Sequence, residues 1–307
     1  MSQLIKPILV TGSHKSGTTW VGRNLALAPH TGYIHEPFNI DLSFSSIEKP
    51  FSNWFQYICE ENASLYQSRL DKVFKFDYPF LKNFSEVKTA KNLLDVCYSQ
   101  LLAYSNRVRH CTPVVKDPLA FFSSEWLSKT YDMNVLVCIR HPAAFCSSLK
   151  LENWNFNFCS LLNQPLLIKK FLYPYLDEIT EFSSGDKCIL EQAILLWKLF
   201  HHTILAYQQA HPEWLFVRHE DLSNQPVKFF RSVYNTLGLN FTLDVERGII
   251  DSSGSHNSRA RFFKDQFKRD SKANVKSWVN LLSATEIDLI RLQTSSLSCH
   301  FYQDSDW

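Results

Sequence analysis

The sequence predicts a doubly wound α/β fold, a parallel sheet with helices on both faces. Three features carry that prediction. Apolar runs of four to six residues recur between polar or turn residues, as strands buried on both faces require. Longer stretches with the repeat of an amphipathic helix separate them. The first run also passes through a loop with two glycines directly into a helical pattern.

Taken in order, Pro7 to Thr11 (PILVT) is the leading strand, and a helix is expected over Thr18 to Ala28. Gly32 to His35 is a short second strand that Glu36-Pro37 ends, because proline brings no backbone donor. Helices are predicted over Ala90 to Val108, Phe121 to Lys129, Ala144 to Leu151, Leu190 to Ala210 and Val227 to Leu237. Between them lie the strands Thr112 to Lys116 (TPVVK), Asn134 to Ile139 (NVLVCI) and Trp214 to Val217 (WLFV). Two aromatic-rich stretches, Asn39 to Phe84 and Glu152 to Ser184, fit no strand and are expected to be helical insertions around the mouth of a site. No repeat, low-complexity tract or Gly/Ser/Pro linker interrupts the chain, so residues 1–307 are expected to form a single domain.

Composition narrows the function. A chain of 307 residues can bury a large core, and 45% hydrophobic with 20% charged residues is ordinary for a globular protein. The 24 Phe, 12 Tyr and 8 Trp are a high aromatic load, part of which is expected to line a pocket. A net charge of +2 supplies no general field for a nucleic-acid backbone, so an anion site must be local. The 8 Cys are scattered without CxxC pairs or zinc spacing, as thiols of a reducing compartment are. Met1 to Pro7 carries no apolar run, and no stretch reaches the roughly 18 apolar residues that span a bilayer. A cytoplasmic protein without membrane or nucleic-acid partners is expected, and its oligomeric state is open.

The loop after the leading strand reads Gly12-Ser13-His14-Lys15-Ser16-Gly17-Thr18-Thr19-Trp20. Strand, loop and helix start together present backbone N–H groups and the positive helix end to an anion. Gly12 and Gly17 permit the turn, and Thr18 and Thr19 add hydroxyls. The loop nearly satisfies GxxxxGK[ST], but Thr18 stands where that P-loop pattern needs lysine, and lysine appears instead at Lys15. A kinase-like magnesium site would also want a carboxylate where Arg140 follows the fourth strand. No metal is expected, and lysine and backbone donors are left to neutralise the leaving group.

Ser13 to Trp20 resembles the phosphosulfate-binding loop of the sulfotransferases that use 3′-phosphoadenosine 5′-phosphosulfate (PAPS), whose usual form is [YR]-x-[KR]-S-G-T-T-[WL]. The resemblance implies that Lys15, Ser16, Gly17, Thr18 and Thr19 hold the phosphosulfate end, that Trp20 lies against adenine and that PAP is the product. It continues at Val135 to Pro142 and on to Ser148, similar to the segment in which an arginine and a serine eight residues later hold the 3′-phosphate. Arg140 and Ser148 occupy those positions, and a guanidinium fork with a helix hydroxyl suits a phosphate on physical grounds alone. Phe216 to Leu222 is similar to the strand ending Tyr-Glu-Asp-Leu, with His219 where tyrosine commonly lies near adenine. Arg269 and Lys272 are the candidates for a late basic segment over the 3′-phosphate, although the Arg-Lys-Gly of the cytosolic animal enzymes is absent.

Transfer of a sulfuryl group requires a base for the acceptor's proton. The Lys-Thr-His histidine of cytosolic animal members has no counterpart in Val115-Lys116-Asp117-Pro118. Glu36, at the carboxyl end of the second strand, is the preferred base, as in the glycan- and tyrosine-modifying members it resembles, with Asp117 as the alternative. Lys15 is expected on the bridging oxygen and Lys116 on the sulfuryl group. His14 and His35 read as loop or surface histidines, and His201 and His202 as structural ones. The expected acceptor is a hydroxyl or amine of a small-molecule natural product or carbohydrate. The rival readings are a small-molecule kinase using ATP and magnesium, and a non-catalytic module that binds an adenine nucleotide.

Overall fold

In the computed structural model, residues 5–42, 44, 46–47, 51–254 and 275–307 are described. Five parallel strands form the sheet among these residues: β1 (Ile8–Gly12), β2 (Thr31–His35), β3 (Thr112–Lys116), β4 (Asn134–Ile139) and β5 (Leu215–Arg218), in the order β2-β3-β1-β4-β5. The register sets Val10 beside both Lys116 and Leu136, and His35 beside Lys116. From β1 the chain builds β2 and β3 on one side and β4 and β5 on the other. The connections therefore part beside the carboxyl end of β1, which is where open α/β sheets bind ligands.

Alternate strand residues enter opposite layers, as the period of two demands. Ile8, Val10, Val114, Leu136 and Cys138 face a layer that includes Val21 and Leu25 of α1 (Thr18–Leu25), Phe230 and Tyr234. Leu9, Val115, Val135, Val137 and Ile139 face the other, where Phe121, Phe145, Trp197, Phe200 and Tyr207 pack. Most of the aromatic load is spent here as core.

The insertions are helical. The first carries α2 (Gln67–Phe74) and α3 (Phe80–Ser85) before α4 (Ala90–Val108), whose Thr89 hydroxyl caps the Asn92 N–H at 3.1 Å. After β3, a 3-10 turn at Phe121–Ser123 leads into α5 (Ser124–Tyr131), and after β4, Pro142 opens α6 (Pro142–Leu151). The second insertion is a series of short helical pieces ending in Leu176–Ser184. The long helix Ile189–Ala210 covers α6 on the aromatic face. No described helix is long and apolar enough to cross a membrane.

Candidate active site

An open cleft of about 460 Å³ lies over the carboxyl ends of the strands. Lys15, Gly17, Thr18, Thr19 and Trp20 line it from the β1–α1 loop, Glu36 from the end of β2, Arg140 from the end of β4, Ser148 from α6, and His219 from the end of β5. Residues separated by more than two hundred positions are thus brought to one place by the strand ends alone.

The loop is shaped by two glycines. Gly12 has φ 133°, and a Cβ there would stand 2.3 Å from the Cys138 carbonyl of β4. Gly17 has φ 88°, and a Cβ there would stand 2.3 Å from Nδ1 of His219. Both positions need a backbone that L side chains rarely adopt and a neighbour that leaves no room for one. Ser16 turns inward, its hydroxyl donating to the Ser13 carbonyl at 2.5 Å. Among the described residues no side chain caps the start of α1, the kind of helix end whose N–H groups can meet an anion. Lys15 projects with φ 62°, and its ammonium lies 2.5 Å from a carboxylate oxygen of Glu152, the residue that closes α6.

His14 differs from its sequence reading. It is buried among Phe55, Phe145, Trp154 and Phe200, with its ring centre 4.3 Å from that of Trp154. Neither ring nitrogen has a hydrogen-bond partner among the described residues. Burial, aided by the Lys15 charge, lowers its pKa to about 3, so the ring is neutral.

Elsewhere in the cleft, Arg140 Nε lies 3.7 Å from Glu220 Oε1, with Glu220 buried and Arg140 partly open to the cleft. The same Glu220 accepts from the His141 backbone N–H at 3.1 Å and from the Tyr302 hydroxyl at 3.1 Å. The Arg140 carbonyl accepts from the Trp197 indole at 2.9 Å. Ser148, one turn from the cleft end of α6, rests its hydroxyl on the Ala144 carbonyl at 2.8 Å. Trp20 meets His219 edge-on with 5.8 Å between ring centres, and its indole donates to Ser252 Oγ at 3.2 Å. His219 Nε2 is 3.2 Å from Ser223 Oγ.

Glu36 sits with φ 42°, and its N–H donates to the Lys116 carbonyl at 2.8 Å, so β2 pairs with β3 up to the edge of the cleft. One carboxylate oxygen pairs with the Lys116 ammonium, and the other accepts from Asn39 Nδ2 at 2.6 Å. Burial pushes the Glu36 pKa up, but the Lys116 charge, His35 and the two hydrogen bonds outweigh it and hold the carboxyl below its ordinary range. Lys116 itself is 1% exposed, below the cleft floor. The helix α1 lies over its stem, and the absence of a side chain at Gly22 is what lets it approach, since a Cβ there would be 2.8 Å from Lys116 Cβ.

Asp117 is also under the floor, with both oxygens engaged by backbone N–H groups, Phe38 at 2.7 Å and Leu119 at 2.8 Å. Burial first, and then the charge of Glu36, raise its pKa to about 7 against those two bonds and Lys116. The carboxyl fastens the turn after Glu36 to the turn after β3. Of the late basic candidates, Arg269 and Lys272 lie outside the described residues.

Several cleft residues were not singled out individually in the sequence. Trp54 and Trp154, one from each aromatic-rich insertion, line the cleft beside Asn39, Pro118 and Leu119. Asn39 could have been singled out as a polar residue three positions after Glu36. Glu220 stands within the Phe216 to Leu222 segment already matched in the sequence, but nothing local ties it to Arg140, or Glu152 to Lys15.

A family model described as the sulfotransferase family matches residues 7–243. The chain belongs to the sulfotransferase family, and the protein is a sulfotransferase enzyme. Among solved structures, it is similar to the sulfotransferase domain from the Synechococcus PCC 7002 olefin synthase, at 16% identity and a TM-score of 0.49, over 99% of this chain and 98% of that one. It is also similar to the sulfotransferase domain from the curacin biosynthetic pathway, at 14% identity and a TM-score of 0.48, over 96% and 99% of the two chains. A third is mouse sulfotransferase SULT7A1 complexed with PAP, at 12% identity and a TM-score of 0.43, over 99% and 87%. No curated protein matches the chain.

Proposed function

We propose that residues 1–307 form a single domain that transfers a sulfuryl group from PAPS to a hydroxyl or amine of a carbohydrate or polar natural product. The observation that carries this reading is that two separate anion stations, the Lys15 loop and the Arg140–Ser148 pair, open onto one cleft. A nucleotide with phosphate groups at both its 5′ and 3′ positions has the charges to use both, and ATP does not. His219 and Trp20 supply ring surface between the stations for a base.

On this reading Lys15 exchanges Glu152 for the donor's bridging oxygen. The acceptor oxygen or nitrogen attacks sulfur, its proton passes to Glu36, and the sulfur–oxygen bond to the 5′-phosphate breaks. The electron pair stays on that phosphate, where Lys15 and the N–H groups at the start of α1 stabilise it. Glu36 is favoured over Asp117 because it faces the cleft, while both oxygens of Asp117 are committed to backbone N–H groups. Lys116 serves by keeping Glu36 ionised. Trp54 and Trp154 offer apolar faces to the carbon skeleton of the acceptor, and Asn39 and Glu36 offer polar groups to its hydroxyls.

The test is an acceptor screen with 35S-labelled PAPS in EDTA. Labelled product from a hydroxyl or amine acceptor, lost in Lys15→Met by about 100-fold or more, is the expected result. Turnover of ATP that requires magnesium, with no labelled product, would favour the kinase reading instead, and near-normal turnover of Lys15→Met at saturating PAPS would remove Lys15 from the mechanism.

A further inference from the structure

The helix α4 is at odds with the rest of the fold. It is 19 residues long and buries two side chains, Val96 and Asn106, although protein helices draw most of their stability from packing an apolar face. Its apolar residues point the other way. Leu94, Tyr98, Leu101, Tyr104 and Val108 are 70%, 67%, 67%, 64% and 56% exposed. At 100° per residue these five fall within about 120° of arc, opposite the side that Val96 and Asn106 turn inward.

The stripe has a further regularity. Ala90, Leu94, Cys97, Leu101, Tyr104 and Val108 follow one another at alternating steps of four and three residues, the spacing of a seam between two helices. α3 packs against α4 and widens the surface with Leu81, 83% exposed, and Phe84, 50% exposed. These side chains expose on the order of 800 Å² of apolar surface, more than a typical monomer's largest patch and about one partner's share of a standard interface.

We propose that the protein is a homodimer in which two copies pack α4 against α4 about a two-fold axis. A second copy brings the same stripe, so the surface is its own complement, as a two-fold interface requires. The area is what such a dimer needs. The charges at the stripe's edges, Lys91, Asp95 and Arg109 on one side and Arg107, paired with Asp77, on the other, are of both signs, as at the rim of a protein interface. No residue of α4 lines the catalytic cleft, so pairing leaves the cleft open.

The mass in solution decides the matter. Sedimentation equilibrium on the full chain at about 1–50 μM is expected to give twice 35.8 kDa, since interfaces of this size commonly bind at micromolar concentration or tighter. The double variant Leu94→Glu/Leu101→Glu is expected to give 35.8 kDa with an unchanged circular dichroism spectrum. If that variant loses its native spectrum, Tyr104→Lys takes its place under the same criterion. A wild-type mass of 35.8 kDa across the range overturns the proposal, whether or not the protein floats with phosphatidylserine-containing vesicles. So does a folded variant that remains dimeric.

Discussion

Glu36 and Lys116 set the chemistry of the cleft as a pair. An isolated carboxyl as buried as Glu36 would titrate above its usual range, and Lys116 with Asn39 reverses that. The Glu36 carboxylate is therefore ionised throughout the neutral range, and if it is the base, as proposed, the acid limb of kcat/KM is expected below pH 4.5, the ordinary value of the group. Replacing Lys116 by Met removes the downward pull and leaves burial, so the limb is expected to move up by at least one pH unit. A pH profile unchanged in that variant would show that Lys116 does not govern Glu36. Glu36→Gln is expected to lower kcat by about 10²–10⁴-fold while PAP binds within about twofold of wild type by calorimetry, because the proposed function gives Glu36 to the acceptor and not to the nucleotide stations. The place of Glu36 in the cleft was legible in the sequence because the carboxyl end of a strand is where such folds gather ligands. Its partner was not, since the contact of Gly22 with the stem of Lys116 exists only once α1 is laid on the sheet.

Strand ends and the turns that leave them do the positioning. Every strand sends at least one candidate residue to the cleft or its floor, and Glu220, at the start of the helix after β5, ties three segments together through Arg140, His141 and Tyr302. Tyr302→Phe leaves a buried carboxylate oxygen without this donor and is expected to cost about 1–2 kcal/mol in denaturant unfolding. It is also expected to weaken PAP more than AMP, because the disturbed neighbour is Arg140. Equal weakening of both nucleotides would mean that the brace is general scaffolding. The strands were legible almost to the residue: β3 and β4 have the expected bounds, and β1 and β5 shift by one residue towards their carboxyl ends. Continuous apolar runs are unambiguous when both faces are covered. The two insertions were legible as aromatic-rich and helical but not as individual helices with bounds, because their short helical turns take their shape from tertiary contacts such as Gln164 with the Tyr57 N–H at 2.7 Å and not from a repeat.

At the scale of the whole molecule, burial among the described residues holds several histidines in the neutral form. His14, His141 and His201 each have a pKa lowered to about 3, in every case chiefly by burial. Folding keeps protons off them that the unfolded chain takes up below about pH 6.5, so their contribution is complete above that value and is lost as pH falls towards 3. Each costs up to about 1.4 kcal/mol per pH unit inside that window. Asp117, raised to about 7, acts in the opposite sense between pH 3.8 and 7, where its stabilising contribution shrinks as pH rises, but it is outnumbered by these three and by His35 and His202, which burial also lowers. Thermal melts are expected to fall steeply between pH 6 and pH 4, and His201→Phe, which keeps a ring against Trp197, is expected to flatten that slope. A melting temperature constant over those two units would contradict the assignment of neutral imidazoles. The claim on which the function rests is that one nucleotide reaches from the Lys15 loop to Arg140, and paired calorimetric titrations with PAP and AMP measure it directly. The wild type is expected to prefer PAP by at least about tenfold, as a charge-assisted contact to one added phosphate allows, and Arg140→Ala is expected to erase the preference while AMP affinity stays. Equal affinities in the wild type, or a preference that survives in Arg140→Ala, would contradict it.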